Sequence, residues 1–247
     1  MKPILFNAEM VRAILDGRKT VTRRVVKTKH KDACGFYVTT RKSDGAFMGV
    51  YEYDENESMF DNPLEPPFKV NDILYVRETW THGGCAICEV YECYGCCNAA
   101  DYLYKADFDS AALSGFKDDG YSWRPSIHMP KEAARIFLKV TGVRVERLQE
   151  ITEGDIMREG IASQCFSCKF RDHVECSNCT NQNEPYLTFA LLWNDTIKDS
   201  QRKYYSWDAN PYVWVIEFEV IDKAALQKLQ GTVGVMMVNK LVEEGQA

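Results

Sequence analysis

Nine of the ten cysteines in this 247-residue chain fall in two short clusters, and that clustering restricts the fold more than any other feature of the sequence. The later cluster reads Cys165-x2-Cys168-x7-Cys176-x2-Cys179. A Cys-x2-Cys turn presents two thiolates to one ion, and two such turns complete a closed tetrahedral set with no position left for water. The spacing predicts a structural zinc that holds together an insertion with few apolar residues of its own. The earlier cluster, Cys85-x2-Cys88-x4-Cys93-x2-Cys96, predicts a second zinc in a tighter loop, with Cys97 or His82 as a substitute for one ligand. Neither spacing is a common ferredoxin one, so an iron–sulfur cluster is the less favoured occupant. Paired cysteines of metal-binding type also point to a reducing compartment, the cytosol, while Cys34 stands alone and reads as a simple thiol.

Composition closes off other classes. The hydrophobic fraction, 45%, is that of a globular protein, and no run approaches the roughly 18 apolar residues of a membrane helix. The stretch Met1 to Glu9 lacks the long apolar region of a signal peptide, so a cytoplasmic protein without membrane contact is expected. The net charge of −6 argues against broad, sequence-independent grip on nucleic acid. Residues 18 to 31 nevertheless contribute +7 (Arg18, Lys19, Arg23, Arg24, Lys27, Lys29, Lys31), leaving −13 for the remainder. A polyanion would be directed to that one patch, although such runs are commonly no more than a solvated face.

The basic run follows a short helical pattern. Asn7 caps it, Met10, Val11, Ile14 and Leu15 recur on one face, and Gly17 sits where a left-handed residue ends a helix. A sharp turn then delivers Arg18 and Lys19, and Thr20 to Val26 reads as a β-branched strand. Residues 32 to 68 form an insertion with a hairpin, Phe36 to Arg41 against Ala46 to Tyr53 across Ser43-Asp44-Gly45. Ile73 to Val76 is a short strand, with Arg77, Glu78 and Trp80 at its end where polar groups reach a site. Tyr102 to Ala106 and Ile136 to Leu148 are further strands, separated by an anchored loop containing His128, which reads as a packed residue rather than a catalyst. Thr152 caps a short helix that ends at Gly160, placing Glu159 in its last turn. Pro185 opens a helix to about Lys198 with Phe189, Leu192 and Trp193 inward, and Tyr212 to Val220 is the last strand. Strands and helices do not alternate, which excludes a doubly wound parallel sheet. The expected class is α+β, mainly β: a mixed barrel over residues 1–220 with insertions at about 32–68, 82–99 and 161–184, then a peripheral helix and tail over 221–247.

Gly17-Arg18-Lys19-Thr20-Val21-Thr22-Arg23-Arg24, ending a helix near the N-terminus, resembles the signature of the ASCH domain, a relative of the PUA-like RNA-binding barrels. Val70 to Glu78, Phe137 to Gly160 and Trp214 to Phe218 fit the same resemblance, which spans roughly residues 3 to 220. The layout is similar to that of the longer ASCH proteins encoded by phages and prophages. Some small ASCH proteins are amidohydrolases that deacetylate N4-acetylcytidine with a lysine, a threonine and a glutamate. On the resemblance these are Lys19, Thr22 and Glu159, with Glu159 aligning less securely than the other two. Thr22 would attack the amide carbonyl, Lys19 would accept its proton, and Glu159 would orient the lysine or carry the proton to the leaving amine. Residues three apart on a strand point to opposite faces, so Lys19 must lie in the turn to meet Thr22.

Those enzymes are little more than the bare barrel, and the insertions here cover or redirect the site. The competing expectation is therefore a binding module, in which Arg18, Lys19, Arg23 and Arg24 clamp RNA phosphates while Trp80, Trp123 or Tyr205 stacks a base, with Arg77 and Glu78 nearby. A third is a phage-encoded protein that contacts a host protein through its cysteine knuckles.

Overall fold

The computed structural model describes residues 1–45, 47–82, 102–109, 122–161, 185–222 and 226. In chain order its elements are β1 (Lys2–Leu5), α1 (Ala8–Leu15), β2 (Val21–Val25), β3 (Gly35–Thr40), β4 (Phe47–Tyr53), β5 (Ile73–Arg77), β6 (Trp80–His82) and β7 (Tyr102–Tyr104). There follow β8 (Phe137–Arg147), α2 (Glu153–Arg158), α3 (Pro185–Thr196), α4 (Arg202–Tyr205) and β9 (Tyr212–Ile221), with single 3-10 turns between several of them. The chain divides into two compact units: Met1–Arg12 with Asp72–Lys139 and Glu219–Ala247, and Ala13–Asn71 with Val140–Phe218.

In the first unit β1 runs parallel to β5, Lys2 opposite Leu74, and β5 runs antiparallel to the start of β8, Tyr75 opposite Phe137. The hairpin-like pair β6 and β7 sets Trp80 opposite Tyr104. Tyr75, Trp80, Met129, Ala133, Ala134, Phe137 and Leu226 pack into its core. Of the peripheral helix and tail expected over 221–247 only Ile221, Asp222 and Leu226 are described, and Leu226 is buried.

In the second unit the strand order is β8-β9-β2, and β2 runs antiparallel to β9 with Val21 opposite Glu217 and Arg23 opposite Val215. Val213, Trp214, Val215 and Ile216 are all buried, so this part of β9 is covered on both faces and reads as a continuous apolar run. Val21, Val213 and Val215 pack against Leu148, Ile151, Ile156, Phe189 and Trp193. Each buried Val, Leu, Ile or Phe there contributes roughly 1.5–3 kcal/mol over its exposed state. The expected hairpin is present as β3 and β4, with Gly45 at φ +70° in the turn. In α1 the buried stripe is Val11, Ala13 and Ile14; Leu15, expected inward, is exposed because Gly17 reverses the chain directly after it.

Among the described residues no barrel closes: β1 and β2 each stand at a sheet edge. The architecture is mixed α+β, mostly sheet with a few short helices. No helix among the described residues is long and apolar enough to cross a membrane.

Candidate active site

Asn7 Oδ1 accepts the amide of Met10 at 2.8 Å and starts α1, as its sequence position predicts. At the other end Gly17 adopts φ +72°, and the amides of Arg18 and Lys19 both return to the carbonyl of Ala13 at 2.9 Å. Lys19 is thereby held in the turn ahead of β2, where it forms an isolated antiparallel bridge with Glu159. Thr152 caps α2 by accepting the amide of Asp155, and Glu159 ends the helix. Gly160 follows at φ +87°, and a Cβ there would lie 2.6 Å from Ala13 Cβ and 2.9 Å from Lys19 Cβ. Only glycine lets these backbones approach so closely.

Successive carbonyls of a strand point to opposite edges. Thr20 O accepts Phe218 N across the pair with β9, so Val21 O points to the open edge of β2. Lys19 Nζ fills that edge, donating to Val21 O at 2.9 Å, Glu159 O at 2.9 Å and Glu159 Oε2 at 2.6 Å. Its side chain is fully buried and that of Glu159 is 7% exposed. Burial pulls the Lys19 amine below the ordinary lysine range, Glu159 pulls it back up, and Arg24 and Arg23 add to the lowering. The nitrogen faces three acceptors, as many as an ammonium has N–H groups to donate.

Glu159 is gripped from its other oxygen by Arg23, whose Nη1 reaches Oε1 at 3.1 Å. The same guanidinium donates to Glu146 Oε1 and, at 3.0 Å, to Asp155 Oδ2. Burial works against the Arg23 cation, but Glu159 and Glu146 outweigh it and hold its pKa above the ordinary arginine value. Arg144 extends the network to Glu146, Asp155 and Glu217, and Arg158 joins Asp155 and Glu217. The alternation of β2 places Val21 and Arg23 on this face and Thr22 and Arg24 on the other. Thr22 Oγ1 accepts from Arg24 Nη1 at 2.9 Å, with Thr22 itself only 1% exposed. Lys19 and Glu159 are thus brought into direct contact, while Thr22 belongs to the opposite face of the strand whose edge carries the amine.

The remaining residues of interest are distributed as follows. Arg18 is exposed and donates to Gly160 O and Asp16. In the first unit Arg77 donates to Ile127 O at 3.1 Å. Glu78 is buried and clasped by Arg135 at 2.9 and 3.0 Å, and Arg135 also binds Asp107 and lies 4.0 Å over the Tyr104 ring. Burial pushes the Glu78 carboxyl up, against the pull of Arg135. Trp80 is a core residue, 3% exposed, so its ring faces are occupied by protein. Trp123 packs on Phe108, and the carbonyl of Tyr205 accepts Trp193 Nε1. His128, expected to be packed, is instead exposed in a 3-10 turn of which no residue is buried.

Cys85, Cys88, Cys93, Cys96 and Cys97, and Cys165, Cys168, Cys176 and Cys179, lie outside the described residues. Among the described residues no group of three or more His, Cys, Asp or Glu side chains is arranged to hold a metal. Sequence reasoning missed Arg144, Glu146, Arg158 and Glu217. Two signals were present: Arg144 and Glu146 alternate with Val143 and Val145, and Glu217 interrupts an apolar strand, a pattern that calls for a cationic partner. Set beside known proteins, the chain matches no family model, no curated protein and no solved structure.

Proposed function

We propose that this chain is an ASCH-domain protein with a PUA-like core that hydrolyses an amide on a modified nucleoside, of the N4-acetylcytidine type. The observation that carries the reading is the buried Lys19–Glu159 pair at the open edge of the strand bearing Thr22. An edge position adjoins both strand faces, and the proposed reaction has the amine serve Glu159 on one and Thr22 on the other. Thr22 Oγ accepts from Arg24, so its own hydrogen remains to be given to a base. In the proposed sequence the Lys19 proton passes to Glu159 along the 2.6 Å contact, leaving a neutral amine. Thr22 Oγ attacks the acyl carbon as its proton moves to Lys19. The C–N bond then breaks, the nucleobase amine takes the proton from Glu159, and water releases the acyl group from Thr22 as a carboxylic acid.

One observation favours this over a phosphate clamp: Arg23, a central member of that clamp, already shares its charge among three carboxylates. The two cysteine sets belong to the same proposal as structural zinc sites, supported by their spacing. Incubation of the zinc-loaded protein with N4-acetylcytidine, followed by chromatography, should show release of cytidine. Lys19→Ala and Thr22→Ala should each reduce it on the order of 10³-fold with circular dichroism unchanged. Absence of release from the folded parent would reject the reading. Salt-sensitive RNA binding through exposed Arg18, Lys27, Lys29 and Lys31 would then be the function to measure.

A further inference from the structure

We infer that Arg23 is the positioning residue of this site: it holds Glu159 so that one carboxylate oxygen faces Lys19, and Glu146 and Asp155 set how strongly it does so. This rests on the hydrolase reading for its catalytic meaning, but not for its physical content. Arg23 is 2% exposed, and its guanidinium touches three carboxylates from two elements: Glu146 on β8, and Asp155 and Glu159 on and just after α2. Glu159 is divided between two cations, Oε1 to Arg23 and Oε2 to Lys19. Any charge that Glu146 and Asp155 do not neutralise on Arg23 falls on Glu159, and so competes with Lys19 for it.

The groups that surround the amine are few enough to give a sign. Glu159 and, on β2, Arg24 and Arg23 act on the amine directly; behind them stand Glu146 and Arg144 on β8, Asp155 and Arg158 on α2 and Glu217 on β9, while Arg18 in the turn is paired with Asp16. Removing an anion behind Arg23 leaves the ammonium less stabilised, so the Lys19 titration moves down in pH. Removing Arg23 gives Lys19 sole claim on Glu159, so the titration moves up. Glu146→Gln or Asp155→Asn disturbs only part of the Arg23 hydrogen-bond set and Arg23→Gln removes all of it, yet the two kinds of substitution shift the amine in opposite directions, which a general loosening of the site would not do.

The test is nuclear magnetic resonance of the full chain labelled at lysine Cε and Nζ, with the Lys19 signal assigned by its loss in Lys19→Met. Glu146→Gln and Asp155→Asn should each lower the Lys19 midpoint by about one pH unit, and Arg23→Gln should raise it by about as much. The alkaline-side inflection of cytidine release against pH should follow the same shifts, because the reaction starts from the pair that still holds the proton Lys19 passes to Glu159. Unmoved midpoints, or shifts of one sign in all variants, overturn the relay. If Arg23→Gln does not fold, the two carboxylate variants decide alone: no downward shift rejects it. Correct shifts without cytidine release would reject the hydrolase and leave the relay standing, so the two readings fail separately.

Discussion

At the scale of the residue, Glu159 carries more than any other side chain, because both of its oxygens are committed to buried cations. Replacing it by Gln keeps the shape but leaves Lys19 and Arg23 facing an amide. Breaking a buried pair from one side costs about 3–5 kcal/mol. We expect Glu159→Gln to lose an amount of that order in denaturant unfolding, beyond any loss of activity, and a loss below about 1 kcal/mol would mean that the pair contributes nothing there. Lys19 adds a dependence on pH. Burial holds its folded-state pKa below the ordinary 10.5, so between the two values the unfolded chain binds more protons and stability rises with pH. Lys19→Met should remove that alkaline rise. Of this residue-level picture, the cap at Thr152 and the helix end at Gly160 that set Glu159 in place were legible in the sequence. The role of Arg23 was not, because a run of cations in a sequence looks the same whether its members are solvated or buried. Lys19 and Arg23 are buried, and Arg18, Lys27, Lys29 and Lys31 are exposed.

Elements were the more legible scale wherever local chemistry fixes them. Asn7 and Thr152 start helices, Gly17 and Gly160 end them, and the alternation from Ile136 to Leu148 gives β8 to within a residue at each end. What alternation could not say is which partner the polar face of β8 would meet, since Arg144 finds Glu217 across 73 residues of chain. Nor could it foresee that a helix end would replace a neighbouring strand at the open edge of β2. The two helix-ending glycines separate local from tertiary demands. Gly17 has φ +72° with open space around its missing Cβ, whereas Gly160 at φ +87° has Ala13 and Lys19 within 3 Å of it. Gly17→Ala should cost about 1 kcal/mol through backbone strain. Gly160→Ala should cost that plus overpacking, about 2–4 kcal/mol in all. Equal losses in chemical denaturation would show that α2 and Lys19 do not pack as closely as described.

For the whole molecule the composition fixes a quantity that can be counted. The chain has ten cysteines, eight of them in the two four-thiolate sets, which leaves Cys34 and Cys97. Cys34 is exposed, with a free thiol. Thiolates bound to zinc react slowly with a disulfide reagent, because the metal holds the lone pair that would attack. The zinc proposal therefore expects two zinc ions per chain and two fast-reacting thiols, rising to ten after treatment with a strong chelator. The first set also admits substitutions, and the count tells them apart. Cys97 exchanging with a member of the set leaves two fast thiols, whereas His82, exposed beside Trp80 and Tyr102, would displace a cysteine and leave three. Binding energy at a closed thiolate site is folding energy for the segment that supplies it, so chelation should also lower the thermal midpoint. Fewer than one zinc per chain, with all ten thiols reacting at once, would remove both sites and leave the two insertions to be explained by packing alone.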